Sequence, residues 1–189
     1  MRPLIFQGPV YGASGYATAA RQFLLALDDL NVCDIALQPL VWRSGFDAGE
    51  SKETLLRLQA LERRLPEINR AEALLLHWSV ANEFVGRQGC ARAVGHAIFE
   101  TNSLLREFVI GCNRMDSIIT PTRFNQTHFQ SAGEAVPMGL VPEGVDTVRF
   151  SPVGARLKNI PQRFSFLFLA QLSYRKGFDL VLKAFLELF

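Results

Sequence analysis

Short apolar runs alternate with segments of helical period along the first 150 residues. The predicted strands are 4–6, 33–37, 72–78, 95–99, 117–120 and 139–141. The predicted helices lie between them, over 20–30, 52–65, 104–115 and 122–132. Strands that alternate with amphipathic helices are typical of a parallel sheet covered by helices on both faces. We therefore predict an α/β fold for residues 1–152.

A second unit is expected near the end of the sequence. Residues 153–163 break the pattern and end in a proline-containing basic stretch, which predicts a linker. Residues 164–172 then predict an apolar strand, and residues 178–189 an amphipathic helix. One strand and one helix cannot bury their apolar faces alone. We therefore expect residues 164–189 to be the incomplete start of a second α/β domain.

Charge, hydropathy and cysteine usage exclude several classes. A net charge of +2 does not indicate nucleic-acid binding. The sequence has neither a signal-peptide pattern nor an apolar stretch near the ~20 residues of a membrane span, so we expect a cytoplasmic protein. Its three cysteines have no disulfide or metal-ligand spacing, and we expect no bound metal.

Ligands of open parallel sheets bind beyond the carboxyl ends of the strands, and three candidates lie there. The loop Gly8–Gly15 joins the first strand to a helix, and its three glycines allow either close approach to a phosphate or a tight turn. His77 ends one strand, and Glu100 with Thr101 follows the next. His77 and Glu100 are candidate general bases, although a buried histidine often has only a structural role.

A fourth candidate is the pair Arg175 and Lys176, which precedes Gly177 at a predicted helix start. Adjacent cations at a helix N-terminus suit a diphosphate, while a solvated basic turn is the alternative. The spacing of Gly8, Gly12 and Gly15 matches neither the dinucleotide-binding fingerprint nor a P-loop, so a nicotinamide-dependent dehydrogenase is disfavoured.

Four segments in order resemble retaining GT-B glycosyltransferases of the "group 1" family. They are Gly8–Gly15, Asp116–Phe124 (D-S-I-I-T-P-T-R-F), Val141–Pro152 (V-P-E-G-V-D…F-S-P) and Phe166–Phe185, which contains R-K-G-F-D-L. The resemblance implies two Rossmann-like domains. It also implies that the N-terminal domain receives the acceptor, that the missing C-terminal domain completes the cleft with the nucleotide-sugar donor, and that no metal or cofactor is needed.

The resemblance also implies roles for single residues. Gly12, Ser14 and Gly15 are expected near the donor diphosphate and sugar. Lys176, assisted by Arg175, is expected to stabilise the leaving diphosphate. The remaining expectations concern the acceptor side, with His77 and Glu100 as catalytic candidates and Thr101 and Thr122 as further acceptor-side residues.

The chain departs from the family pattern at three points. Gln171 replaces a frequent arginine, Glu143 replaces a common asparagine, and no two glutamates have the E-x7-E spacing that contacts the donor. We therefore expect this chain alone to be inactive with a nucleotide-sugar. The acceptor is expected to be a glycan, a lipid-linked sugar or a small molecule, with peripheral membrane association through the basic linker as one option. The alternative function is a non-catalytic glycosyltransferase-like binding or interaction module.

Overall fold

A computed structural model describes residues 1–42, 49–133, 135–154, 164–170 and 172–189 of the chain. Contacts divide the chain into a unit of residues 1–145 and a unit of residues 146–189. Most of the predicted linker, residues 155–163, lies outside the described residues, as do residues 43–48.

The first unit is built on a six-stranded, all-parallel sheet, which confirms the predicted α/β, Rossmann-like class. Its strands are β1 (Arg2–Gly8), β2 (Cys33–Pro39), β3 (Leu74–Trp78), β4 (Arg92–His96), β5 (Ser117–Thr120) and β6 (Met138–Leu140). Its helices are α1 (Gly15–Leu30), α2 (Lys52–Arg63), α3 (Arg106–Cys112) and α4 (Arg123–Ser131). The strand order is β2-β1-β3-β4-β5-β6.

Helices cover both faces of this sheet. On one face Leu24 of α1 and Leu58 of α2 are buried in one apolar cluster with Phe6 and Trp78. On the other face a second cluster joins Ile5, Leu75, Ala93 and Ile118 of the strands to Phe129 of α4 and Cys112 of α3. Because both faces are buried, the strands are almost continuously apolar and not alternating. That property makes them visible in the sequence as short apolar runs.

Strand β4 lies three residues earlier than the prediction of residues 95–99. It begins at Arg92, which pairs with Leu74 at the amino end of β3, and it ends at His96. The apolar pattern missed the start because the first residue of the strand is charged and exposed. Ile98 to Glu100 therefore belong to the loop beyond the sheet edge and not to the strand itself.

The second unit contains a single helix of more than one turn among its described residues, α5 (Phe178–Leu188). The strand predicted over 164–172 is wrong for the residues that the structure describes, which form no strand at 164–170 or 172. A strand needs a hydrogen-bonded neighbour, and the described part of this unit supplies none. Phe164 is accordingly 86% exposed and Leu169 83% exposed.

None of the helices that the structure describes combines the length and the apolar character needed to cross a bilayer.

Candidate functional site

The order of the strands creates a crevice at the carboxyl edge of the sheet. Strand β1 lies between β2 and β3, so the chain leaves β1 toward one side and returns as β3 on the other. Loops that diverge at such a switch point leave room for a ligand. The crevice lies beside the loop Gly8–Gly15, which follows β1, and beside Ser79 and Val80, which follow β3.

The buried side chain of Arg21 fixes the conformation of the glycine-containing loop. Its side chain is only 1% exposed, although it lies on α1 among apolar residues. One guanidinium nitrogen, Nη1, donates to the carbonyl oxygens of Val10 at 2.6 Å and Gly12 at 3.2 Å. The other, Nη2, forms a short ion pair with the carboxylate of Glu50. These bonds hold two loop carbonyls toward the protein interior, so the conformation of the loop is set before any ligand arrives.

Ser14 and Gly15 begin α1. The Ser14 hydroxyl accepts a hydrogen bond from the backbone N–H of Ala17 at 3.1 Å, so it is the N-cap of the helix. A Cβ added to Gly15 would meet no atom within 4 Å, whereas one added to Gly12 would lie 3.2 Å from the Cβ of Ala17. Gly15 therefore leaves open space at the helix N-terminus. A donor-binding role for Gly12, Ser14 and Gly15 stays a prediction.

A cavity of about 430 Å³ opens in front of α1, and we name it the α1 cavity. Its walls come from the first turns of α1, the loop after β3, residues 98–101 after β4, α3 and the segment after β6. It brings together Gly15, Glu100 and Thr101, which the sequence predicts as site residues, with Glu143 of the V-P-E-G-V-D segment. Glycine, carboxylate and hydroxyl groups from distant segments thus share one cavity.

Tyr16 is one of the residues that line the α1 cavity. Its hydroxyl donates to the carbonyl oxygen of Ser79 at 2.8 Å, which ties α1 to the loop after β3. Burial, reinforced by the carboxylates of Glu143 and Glu83, raises the pKa of Tyr16 far above its ordinary value. The side chain therefore stays a neutral hydrogen-bond donor and acts as a fixed wall of the cavity.

His77 lies in a different cavity, of about 330 Å³, which we name the His77 cavity. It is also lined by Gln7, Trp42, Glu83 and Gln88. Burial lowers the pKa of His77 to about 4, against the opposing charge of Glu83, so the ring is neutral at neutral pH. The described lining residues of the α1 cavity do not include His77, and those of the His77 cavity do not include Glu100. The two catalytic candidates are thus separate.

A chain of polar contacts runs between the two cavities. The indole N–H of Trp42 donates to Glu83 at 2.9 Å, and the hydroxyl of Ser79 donates to the same carboxylate oxygen. Tyr16 contacts Trp42 with ring centroids 5.0 Å apart and bonds to the Ser79 carbonyl. The loop after β3 is therefore a shared wall of the two cavities.

Thr122 is the N-cap of α4, as its position in the sequence predicts. Its hydroxyl oxygen accepts from the backbone N–H of Asn125 at 3.1 Å, while the Asn125 amide donates to the Phe99 carbonyl oxygen. Thr122 is not among the described lining residues of either cavity. Its structural role is established by this geometry, and its acceptor-side role stays a prediction.

Arg175 and Lys176 lie in the second unit. They form a short 3-10 turn, Tyr174–Lys176, whose next residue, Gly177, has a left-handed φ of 71°. Both cationic side chains are exposed, and α5 begins directly after the glycine. The turn therefore presents charge to solvent at a helix start, and its pairing with a diphosphate stays a prediction.

Several residues around the sites were missed by sequence reasoning. The sequence marks Glu143 only as a departure from a motif, and it does not single out Gln7 or Gln88. A visible signal existed for Arg21, because a cation occupies the apolar face of an amphipathic helix, between Ala17 and Leu24. No local signal marks Gln88. It reaches the site because β1 pairs with β3 and because the segment between β3 and β4 brings it beside Gln7.

The class defined by the fold is a Rossmann-like α/β protein with two cavities at the carboxyl edge of a parallel sheet. Neither the protein-family models nor the curated proteins with which the chain was compared gave a match.

Proposed function

We propose that this chain is the acceptor-side part of a retaining GT-B glycosyltransferase, in which a nucleotide-sugar is the donor. The observation that supports the proposal is the α1 cavity, where Gly15 at a helix N-terminus meets Glu100, Thr101 and Glu143 from two other segments. Two of these segments, Gly8–Gly15 and Val141–Pro152, are the ones that resemble the family. They are separated by more than 120 residues in the sequence, yet each contributes to the same cavity.

The chemistry of the cavity suits a sugar acceptor. Glu100 is a carboxylate that can accept a hydrogen bond from an acceptor hydroxyl. The Thr101 O–H donates to the Ser103 carbonyl oxygen at 3.2 Å, and its oxygen lone pairs can accept from a sugar hydroxyl. The N–H groups at the start of α1 favour an anionic or strongly polar group near Gly15. Apolar surface from Phe99 and Phe108 completes the cavity and suits the C–H faces of a sugar ring. In the proposed reaction Lys176, with Arg175, stabilises the leaving diphosphate.

Acceptor binding is tested on the purified chain by heteronuclear NMR during titration with a panel of oligosaccharides. We expect a binding glycan to shift the backbone amide signals of Gly15, Glu100 and Thr101. Glu100→Gln should lower the affinity for that glycan about tenfold, because it replaces a charge-assisted hydrogen bond by a neutral one. Glu72→Gln is the matched control, since Glu72 is exposed and precedes β3 at the opposite edge of the sheet. Equal effects of the two substitutions would count against an acceptor site in the α1 cavity.

The second candidate is a non-catalytic, glycan-binding module of the same fold. The observation that favours it is the lack of any E-x7-E pair in the 189 residues. The two candidates differ in the coding sequence after Phe189, where the transferase proposal expects an E-x7-E segment. A stop codon there, together with glycan binding but no sugar transfer from uridine or guanosine diphosphate sugars, would favour the non-catalytic module.

A further inference from the structure

The His77 side chain is an unexplained buried polar group. It is 2% exposed, and neither of its ring nitrogens has a hydrogen-bond partner among the residues that the structure describes. The ring of Phe84, with its centroid 5.0 Å away, packs against it. A buried donor or acceptor without a partner costs about 1–3 kcal/mol, so native proteins rarely retain one without a reason. This side chain also lines the His77 cavity, so a ligand bound there is a candidate partner for the ring.

Two amides stand beside the imidazole. The Gln88 side chain donates to the Gln7 side-chain oxygen at 2.8 Å, and the Gln7 amide donates back at 3.5 Å. Each amide carries two N–H donors and two acceptor lone pairs, so this exchange leaves hydrogen-bonding capacity on both. Gln88 also has a left-handed φ of 48°, a conformation that costs a non-glycine residue about 1–2 kcal/mol. The backbone thus bears strain at the residue that holds this amide pair over the cavity.

The remaining lining groups determine which ligands suit the cavity. Glu83 is the one charged side chain among its described lining residues, and it is an anion. An anionic ligand would meet like charge there, whereas hydroxyl groups can donate to the carboxylate, the imidazole and the amide oxygens. Trp42 adds an aromatic wall that is 36% exposed, with its indole N–H held by Glu83. An aromatic face next to amides and a carboxylate suits a ring with polar edges and an apolar face.

We propose that the His77 cavity binds one neutral sugar ring, or a similar polyhydroxy ring, through hydrogen bonds from His77, Gln7 and Gln88 and contact with Trp42. The volume of about 330 Å³ is at the lower end of the ~300–1,000 Å³ typical of small-molecule sites, which favours a single ring over a longer glycan. This site is separate from the α1 cavity, and the inference does not depend on the proposed transferase function.

The test is a titration of the whole chain with neutral monosaccharides, their methyl glycosides and myo-inositol. The readouts are tryptophan fluorescence and the imidazole nitrogen shifts of His77 and His96. We expect millimolar binding that moves the His77 nitrogens and leaves those of His96 unchanged. Binding of the free sugars and of their methyl glycosides would both support a site for a single sugar ring.

His96 provides a closely matched control. It is also buried, both of its ring nitrogens also lack partners among the described residues, and burial lowers its pKa to about 4 as well. It differs in position, because it stacks on Trp78 with ring centroids 3.5 Å apart and is not among the described lining residues of the His77 cavity. His77→Phe should therefore weaken sugar binding about tenfold or more, through the loss of one or two hydrogen bonds, and His96→Phe should leave it unchanged.

Three results would overturn the inference. They are tighter binding of inorganic phosphate or a sugar phosphate than of the neutral sugar, equal effects of His77→Phe and His96→Phe, and no shift of the His77 nitrogens at tens of millimolar sugar. If His77→Phe does not fold, Gln88→Ala replaces it, because Gln88 is only half-buried in a loop. The proposed transferase function has a separate readout. If that function is wrong, the amide signals of Gly15 and Thr101 stay unchanged when oligosaccharides are added.

Discussion

Replacement of Arg21 by methionine tests whether a buried ion pair fixes the loop Gly8–Gly15. Arg21→Met keeps an unbranched apolar chain of similar length and removes every guanidinium N–H. The carbonyl oxygens of Val10 and Gly12 then lose their donor, and Glu50 loses its cation. Val10 is fully buried, and the side chain of Glu50 is 16% exposed, so water cannot fully replace the lost bonds.

The expected loss of stability follows from these contacts. Breaking a buried ion pair by removing one partner costs about 3–5 kcal/mol, because an uncompensated charge remains. A buried carbonyl left without a donor costs about 1–3 kcal/mol, but this overlaps with the first figure and does not simply add to it. We therefore expect Arg21→Met to lower the free energy of unfolding by about 3–5 kcal/mol, out of about 5–15 kcal/mol for a typical domain.

Urea unfolding followed by tryptophan fluorescence measures this loss. Trp42 and Trp78 both belong to the unit of residues 1–145, so the signal reports on that unit. With a urea dependence of about 2 kcal/mol per molar, a loss of 4 kcal/mol moves the midpoint by about 2 M. The control is Arg57→Met, because Arg57 is 36% exposed and pairs with Asp28 and Asp29 at the surface. Surface pairs contribute only about 0–1 kcal/mol.

The effect of Glu50→Gln on stability should change sign with the residue at position 21. Glu50→Gln alone removes the charge that pairs with Arg21 and should destabilise the protein. In the Arg21→Met background the same substitution removes an unpaired carboxylate and should stabilise it. Equal midpoints for Arg21→Met and Arg57→Met, or a destabilising Glu50→Gln in both backgrounds, would refute the view that this pair holds the loop.

Three further predictions concern packing, capping and pH. Gly111→Ala should cost about 3 kcal/mol in urea unfolding, because its Cβ would overlap the carbonyl oxygen of Ala81 and backbone cannot move aside cheaply. Ser14→Ala should cost about 1 kcal/mol, and Ser14→Gly only a few tenths, because the hydroxyl caps α1. Burial lowers the pKa of His77 and of His96 from 6.5 to about 4, so the unfolded chain binds more protons between these values and stability is lost as the pH falls through this window. The slope should approach about 1.4 kcal/mol per pH unit for each histidine, and His77→Phe or His96→Phe should reduce it in unfolding measured from pH 7 to 4.

Much of the fold could be predicted because its signals are local. Apolar runs identify β1, β2, β3 and β5, since strands buried on both faces carry apolar residues in succession. The N-cap at Thr122 is likewise visible, because capping depends on one side chain and the next three residues. The order of the strands is not local. The position of β1 between β2 and β3, which creates the switch point, follows from pairing between segments about 30 and 70 residues apart.

The candidate site shows what the position of a residue at the end of a strand can predict and what it cannot. His77 and Glu100 both follow or end parallel strands, which correctly predicts the carboxyl edge of the sheet for each. Position at an edge does not determine the side of the sheet, which depends on the parity of the residue within its strand. His77 shares its side with Leu75 and, through the pairing of β3 with β1, with Ile5 and Gln7.

Glu100 follows a different rule. It lies four residues beyond the end of β4, where strand parity no longer applies, and the loop directs it to the α1 cavity. Residues at or after the ends of strands therefore belong to different groups, and roles have to be assigned to each group separately. Gln7 and His77 form one group by parity and register, while Glu100 and Thr101 form another by loop position. Because the substitutions Glu100→Gln and His77→Phe act on different groups, a ligand that responds to one and not to the other identifies its own cavity.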